Sequence, residues 1–369
     1  MDSHRIIASL TTYPARIRTI RPTLISLLNQ QRQPDCVELW VSESEFARPG
    51  QDLAGRCQIP DDVMDLVHDG SLTLCWSPCS YGSHDKYLWT MKAHPESIVM
   101  TFDDDLTYDA QTISRLLEAH RRYPSSIIAS RSHRMTFIDG ELAPYKQWDM
   151  EQRCCMNEPR FDLMATSGAG TLYPPYALPA QALQGDSIDK ACEQCDDIWL
   201  LAWGLMAGRS VVAVGDPSLS YVDGTQDVGL FHENIEGGGN DRALSALRCR
   251  YALFDEKMRA VACESSRNVY QELRDSQRDL TRANDHIHRF ECSRSWRIGR
   301  FVTYLPRRMR RIVRARTSSC ASADELSDAH LKTKLSVQGL DKRDASSQMH
   351  SEIDDGMRGY VHVQRQGTV

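Results

Sequence analysis

The chain has 369 residues, 41% hydrophobic and 25% charged, the composition of a globular protein with room for one large domain or two smaller ones. A net charge of −6 argues against nucleic-acid binding by the chain as a whole, and no run approaches the roughly 18 apolar residues that span a bilayer. The polar start and the 12 scattered cysteines predict a chain without a usual signal peptide in a reducing, cytoplasmic setting.

In chain order, short apolar runs alternate with helical periodicity. Residues 5–10 predict the first strand. The loop Thr11-Thr12-Tyr13-Pro14-Ala15-Arg16 follows it, because Pro14 turns the residue before it away from helix. Ile20, Leu24, Leu27 and Leu28 then recur at helical spacing. Residues 36–41 predict a second strand, 43–70 a loop with one short helix, 71–76 a third strand, and 87–92 the start of a helix. Residues 98–102 are apolar or β-branched without a charge, as in a buried parallel strand. Together these predict an α/β fold with a doubly wound, mostly parallel sheet.

Beyond that strand, residues 109–120 predict a helix with Ile113, Leu116 and Leu117 facing inward. Residues 126–129 and 135–138 predict strands, the second ending in a turn at Asp139-Gly140. Thr166-Ser167-Gly168-Ala169-Gly170-Thr171 reads either as a flexible turn or as a place where Gly168 and Gly170 let backbone approach a ligand. Asp196-Asp197 opens an apolar helix over 198–207 that stops at Gly208. A short strand over 211–214, a glycine-rich polar stretch around His232 and a helix near 242–252 complete a catalytic domain placed at 1–260.

The remainder has a different pattern. Leu273, Leu280 and Ile287 share one heptad position, and Val269, Ser276, Ala283 and Phe290 share another. That spacing predicts a coiled coil over 265–292 and a homodimer through it, or else a helix lying on the protein's own surface. Residues 294–316 carry nine arginines and no acidic residue, interleaved with aromatic and aliphatic side chains. Such a segment (293–316) suits an anionic membrane surface, the alternative being a solvated linker. Residues 317–369 are polar and Ser-rich and predict disorder.

The chemistry concentrates in two acidic clusters. Asp103, Asp104 and Asp105 fall just past the carboxyl end of a buried strand, where α/β sheets place their working groups. Three adjacent carboxylates repel one another unless a cation neutralises them, and hard oxygen ligands suit Mg²⁺ or Mn²⁺. An acidic turn capping the next helix is the plainer alternative, although a cap needs only one aspartate. The second cluster, Asp196-Asp197, is suited to accepting a proton. Cys75-x3-Cys79 and Cys192-x2-Cys195 have the spacing of zinc half-sites, without neighbours that complete them.

Four segments carry a resemblance: Ser9-Leu10-Thr11-Thr12-Tyr13-Pro14-Ala15-Arg16, the Asp triplet, Gly168-Ala169-Gly170-Thr171-Leu172-Tyr173-Pro174 and Asp196-Asp197-Ile198-Trp199. In this order, over residues 4–255, they resemble bacterial glycosyltransferases of the glycosyltransferase-A fold, family-2-like enzymes of surface-polysaccharide clusters. Cys292-Ser293-Arg294-Ser295-Trp296-Arg297 resembles a tail found behind many such domains. The resemblance implies transfer of a sugar from a nucleotide-diphosphate sugar to a glycan or lipid-linked acceptor. It implies a Mn²⁺ or Mg²⁺ ion on Asp103 and Asp105, with Asp104 alongside and His232 as a late metal or phosphate contact, or else a structural histidine. Tyr13 and Arg16 lie near the nucleotide, Lys86 faces the diphosphate, and Gly168, Gly170 and Trp199 belong to the substrate-binding set. Asp197 stands where these enzymes keep a base and favours inversion. The family's usual Glu-Asp is here Asp196-Asp197, which leaves the choice between the two open. With the basic segment 294–316, the setting expected is the cytoplasmic face of the inner membrane, peripherally bound.

A rival reading starts from the same triplet. Asp103-x-Asp105-x-Thr107 matches the motif of haloacid-dehalogenase-like phosphatases, with Asp103 as nucleophile. That motif normally opens its domain, whereas three predicted strands come first here, and Leu106 stands where a glycine is usual. A non-catalytic scaffold built on the coiled coil leaves both acidic clusters unexplained.

Overall fold

The computed structural model describes residues 4–51, 53–150, 156–215, 219–225 and 237–292. His232 and residues 293–369 lie outside them. The strands are β1 (Ile6–Thr11), β2 (Cys36–Ser42), β3 (Thr73–Ser77), β4 (Ile98–Phe102), β5 (Leu106–Thr107), β6 (Ile127–Ala129), β7 (Ser132–Arg134), β8 (Phe137–Ile138), β9 (Glu141–Leu142), β10 (Leu163–Ala165), β11 (Ala169–Tyr173), β12 (Val211–Ala213) and β13 (Ser220–Tyr221). The α-helices are α1 (Arg21–Leu28), α2 (Asp61–His68), α3 (Asp85–Ala93), α4 (Thr112–Arg122), α5 (Asp196–Met206), α6 (Gly239–Arg250) and α7 (Ala252–Cys292).

Seven strands form one sheet in the order β12-β6-β11-β4-β1-β2-β3. All neighbours are parallel except β11, which runs antiparallel between β4 and β6. This is the doubly wound, mostly parallel α/β sheet of the glycosyltransferase-A-like expectation. Two apolar cores flank it. Leu24, Leu27, Val63, Ile113 and Leu116 from α1, α2 and α4 cover one face. Tyr87, Leu88, Trp199, Leu244 and Phe254 from α3, α5, α6 and α7 cover the other. Every residue of β4 is buried, as a strand walled on both faces requires. The chain runs outward from β1 through β2 to β3, then returns to place β4 on the other side of β1. That reversal is a topological switch point, and the crevice beyond the carboxyl ends of β1 and β4 is where such sheets bind ligands.

Two local expectations are corrected. The glycine-containing segment over 166–171 is not a free turn, since its second half is β11, a central buried strand. Gly170 has φ +91°, and the pairing of β11 with β4 shifts register between Ala169 and Thr171. A small residue without a Cβ permits that bulge, and the same small residues disguised the strand. The strand expected over 135–138 divides: β7 ends at Arg134, and β8 begins a hairpin with β9 whose Asp139 and Gly140 both take positive φ.

α5 stops as its sequence predicts. Gly208 takes φ +71°, its amide donates to the Leu205 carbonyl, and the Arg209 amide donates back to the Gly204 carbonyl. α7 passes residue 260 without a break. Phe254, Met258, Val261 and Ala262 are buried, whereas Leu280 and Ile287 are 63% and 54% exposed. The chain divides into compact units after Gln277.

Candidate active site

The loops after β1 and β4 meet at the switch point. Thr12 Oγ1 donates to Asp104 Oδ2 at 2.6 Å. Arg16 Nη1 lies 3.2 Å from Asp104 Oδ1 and 2.6 Å from Asp105 Oδ2, and its guanidinium carbon stands 5.9 Å from the centre of the Tyr13 ring. Thr23 Oγ1 in α1 donates to the Asp104 carbonyl at 3.1 Å. The triplet therefore splits. Asp104 and Asp105 turn to Arg16, and Asp103 turns the other way, to Lys86 Nζ at 2.6 Å. Tyr108, buried behind the turn, donates its hydroxyl proton to the Gly168 carbonyl and accepts from the Asp103 amide at 2.9 Å.

Lys86 joins the two acidic clusters. Its ammonium is also 3.0 Å from Asp196 Oδ2, and its side chain is 5% exposed. Its sequence expectation was contact with a diphosphate; in the fold it is a buried bridge between carboxylates. Burial opposes its charge, but Asp103 and Asp196 outweigh that and raise its pKa. Asp196 and Asp197 occupy the first turn of α5, where the helix dipole favours negative charge. Asp196 accepts from the hydroxyls of Ser83 and Ser167, each at 2.8 Å. Burial would raise its pKa, yet Lys86 in first place holds it well below the usual carboxylate range. Asp197 accepts from the Ser167 amide at 2.8 Å. Burial and the neighbouring Asp196 charge push its pKa up to about 6. Burial likewise raises Asp104 to about 6.

Arg131 and Ser83 lie outside the motifs above, and Ser167 lies in the 166–171 segment read there only for its glycines. Arg131 follows β6, and its Nε donates to Thr166 Oγ1 at 3.0 Å. Its charge is felt by Asp103, Asp197 and Tyr221. It stands past a strand's carboxyl end, the same position that exposed the triplet in the sequence. Ser83 and Ser167 are polar residues with no spacing rule behind them. Gly168 is placed by contact: a Cβ there would lie 1.6 Å from Asp103 Oδ2.

Two members of the expected substrate-binding set face the core. Trp199 is fully buried and its indole donates to the Ala182 carbonyl at 3.1 Å. Gly170 is enclosed by Ser130, Thr112 and Phe102. His232 falls outside the described residues. Cys75, Cys79, Cys192 and Cys195 are outside any disulfide, and among the described residues no three His, Cys, Asp or Glu side chains converge on a metal position. A divalent ion fits the site by charge, since Asp103, Asp104, Asp105, Asp196 and Asp197 outnumber Arg16, Lys86 and Arg131. Asp103, with 35% of its side chain open, is the member of the triplet best placed to accept one.

No protein-family model matches the chain, and no curated protein matches it in sequence. Solved structures that resemble it include S. aureus TarS 1-349 in complex with UDP, at 15% identity and TM-score 0.34, covering 57% of this chain and 58% of that one. The same protein with UDP-GlcNAc has 15% identity and TM-score 0.35, covering 57% and 56%. A 4-diphosphocytidyl-2C-methyl-D-erythritol synthase has 11% identity and TM-score 0.36, covering 61% of this chain and 95% of that one. The chain thus spans less than two thirds of the TarS chain, and these likenesses leave the roles of individual residues unassigned.

Proposed function

We propose that this protein is a metal-dependent glycosyltransferase that moves a sugar from a nucleotide-diphosphate sugar to a glycan or lipid-linked acceptor. The observation that carries this reading is Lys86. One buried ammonium, 2.6 Å from Asp103 and 3.0 Å from Asp196, makes a single site of two clusters that lie far apart in sequence. The site has a strongly acidic side at a switch point and a carboxylate of raised pKa beside it, as donor binding and proton acceptance require.

Asp103 would hold Mn²⁺ or Mg²⁺, joined by Asp105 once that carboxylate leaves Arg16, and the ion would neutralise the diphosphate and its leaving charge. The residues of the chain do the rest. Arg16 fixes Asp104 and Asp105 and sets Tyr13 beside the nucleotide position. Lys86 bridges Asp103 and Asp196 and holds Asp196 ionised. Asp197 takes the proton of the attacking acceptor hydroxyl, consistent with inversion. The phosphatase alternative needs Asp105 free to reach a leaving oxygen, and in the fold its Oδ2 is held 2.6 Å from Arg16 Nη1. The nine arginines of 294–316 support peripheral binding to an anionic inner-membrane face. The exposed Leu280 and Ile287 support a homodimer through α7.

The test is a panel of nucleotide sugars scored for thermal stabilisation with and without Mn²⁺, because a ligand that binds only the native state raises its stability. One or more should stabilise the chain only with the ion, and Asp103→Asn or Asp105→Asn should each abolish that gain while the protein stays folded. Ion-dependent stabilisation that persists in the double variant refutes the metal assignment. A trapped aspartyl-phosphate analogue at Asp103 would favour the phosphatase instead.

A further inference from the structure

We infer that Ser167 is the positioning residue of the carboxylate pair, fixing Asp196 in its ion pair with Lys86 and leaving Asp197 to act as the base. The inference rests on the transferase reading above and assigns a role to a residue outside the acidic motifs.

Consecutive residues of a helix point about 100° apart, so Asp196 and Asp197 cannot share one partner through a common direction. Ser167 solves this with two different donors. Its hydroxyl reaches Asp196 Oδ2 and its amide reaches Asp197 Oδ1, both at 2.8 Å. Its carbonyl accepts from Thr101 Oγ1 at 2.6 Å, which ties the same residue to β4 two positions before Asp103. All three polar groups of Ser167 are therefore engaged, and the residue is fully buried. Its neighbours extend the arrangement. Thr166 Oγ1 accepts from Arg131 Nε, and the Gly168 carbonyl accepts from the Asp103 amide at 3.0 Å. One tripeptide between β10 and β11 thus sets Arg131, both members of the pair and the first residue of the triplet.

The two carboxylates are held differently. Asp196 carries Ser83, Ser167 and Lys86, and protonating it would forfeit a buried ion pair. Asp197 adjoins the same anion and accepts the Ser167 amide at 2.8 Å, with no ion pair to a lysine among the described contacts. In the transfer step the proton leaves the acceptor hydroxyl for Asp197 while that oxygen bonds to the sugar and the nucleotide diphosphate departs. Ser167 keeps its own proton throughout and acts by holding direction.

The experiment uses the full chain and measures nucleotide diphosphate released from UDP-, GDP- and dTDP-sugars with Mn²⁺, water taking the acceptor's place as the hydroxyl that gives its proton to Asp197 and receives the sugar. Ser167→Ala should lower kcat roughly tenfold to a hundredfold, the scale of one hydrogen bond to a charged group, with the donor KM within about twofold. Ser167→Thr, which keeps the hydroxyl, should recover most of the loss. In an Asp197→Asn background, Ser167→Ala should add little, because the lost hydroxyl acts on the base only through Asp196, the backbone amide to Asp197 being kept. If alanine prevents folding in urea melts, Ser167→Cys, a weaker donor of similar size, should show the same loss in kcat. An unimpaired Ser167→Ala, an equal loss in kcat and donor affinity, or full additivity with Asp197→Asn overturns the inference alone. A wild-type chain that releases nucleotide from none of these donors overturns the transferase reading first.

Discussion

At the scale of single residues, the site is a problem of charge in a place that resists it. Asp197 shows the cost. Its carboxyl titrates near 6 in the fold against an ordinary 3.8, so the folded state holds its proton more tightly than the unfolded chain. A raised acid contributes stability below its unfolded pKa and loses it as pH climbs through the folded value, a window of roughly pH 4 to 6 here. Asp197→Asn should therefore raise the melting temperature at pH 7–8 and leave it nearly unchanged at pH 3.5. The same substitution should reduce turnover by ~10²–10⁴-fold while sparing donor binding. Calorimetry across pH and steady-state kinetics check both halves. A variant equally destabilised at every pH would mean that the carboxylate is structural. Asp103, Asp104, Asp105, Asp196 and Asp197 were legible in the sequence because carboxylates in tandem are conspicuous. Ser83, Ser167 and Arg131 were not, since a serine or arginine becomes part of a site only through what the fold sets against it.

At the scale of elements, β11 is the least anticipated and the most consequential. It lies antiparallel between β4 and β6 and carries the backbone from the site into the sheet centre. Its bulge needs Gly170 at φ +91°, where a Cβ would also meet Ser130 Oγ at 3.2 Å and Thr112 Cγ2 at 3.3 Å. Left-handed backbone costs an L-residue about 1–2 kcal/mol before any crowding. Gly170→Ala should therefore lower the melting temperature by several degrees while the folded fraction binds nucleotide sugar as before. Thermal melts paired with titration of the folded protein separate the two effects. A full loss of binding with normal stability would return Gly170 to the substrate-binding set.

For the whole molecule, two units are distinguished after Gln277, and α7 runs across that point as one helix. Its first turns belong to a core, with Phe254 and Met258 buried, and Ser265 Oγ lies 3.4 Å from Asp162, the carboxylate bound by Arg160 and Arg134. A chain ending at residue 292 should keep donor chemistry on a soluble acceptor but stop sedimenting with anionic vesicles. The binding of the full chain should weaken as salt rises, since exposed charges are screened within about 8 Å at physiological ionic strength. Equal sedimentation of the two proteins would reduce residues 293–316 to a linker. Among the described residues no helix is long and apolar enough to cross a membrane.

The sequence by itself determined the α/β alternation, the buried strand that ends in the triplet, and the acidic start and glycine stop of α5. Each of these is a local property: the period of apolar residues, the chemistry of a cap, the repulsion between neighbouring carboxylates. Only the tertiary structure decided that β1 and β4 would lie side by side, that Arg16 would take Asp104 and Asp105 while Lys86 took Asp103, and that Ser167 would arrive between Asp196 and Asp197. Those are pairings across tens of residues. A buried charge is settled by whichever partners the packing of the sheet brings within about 3 Å, and no local spacing encodes that distance.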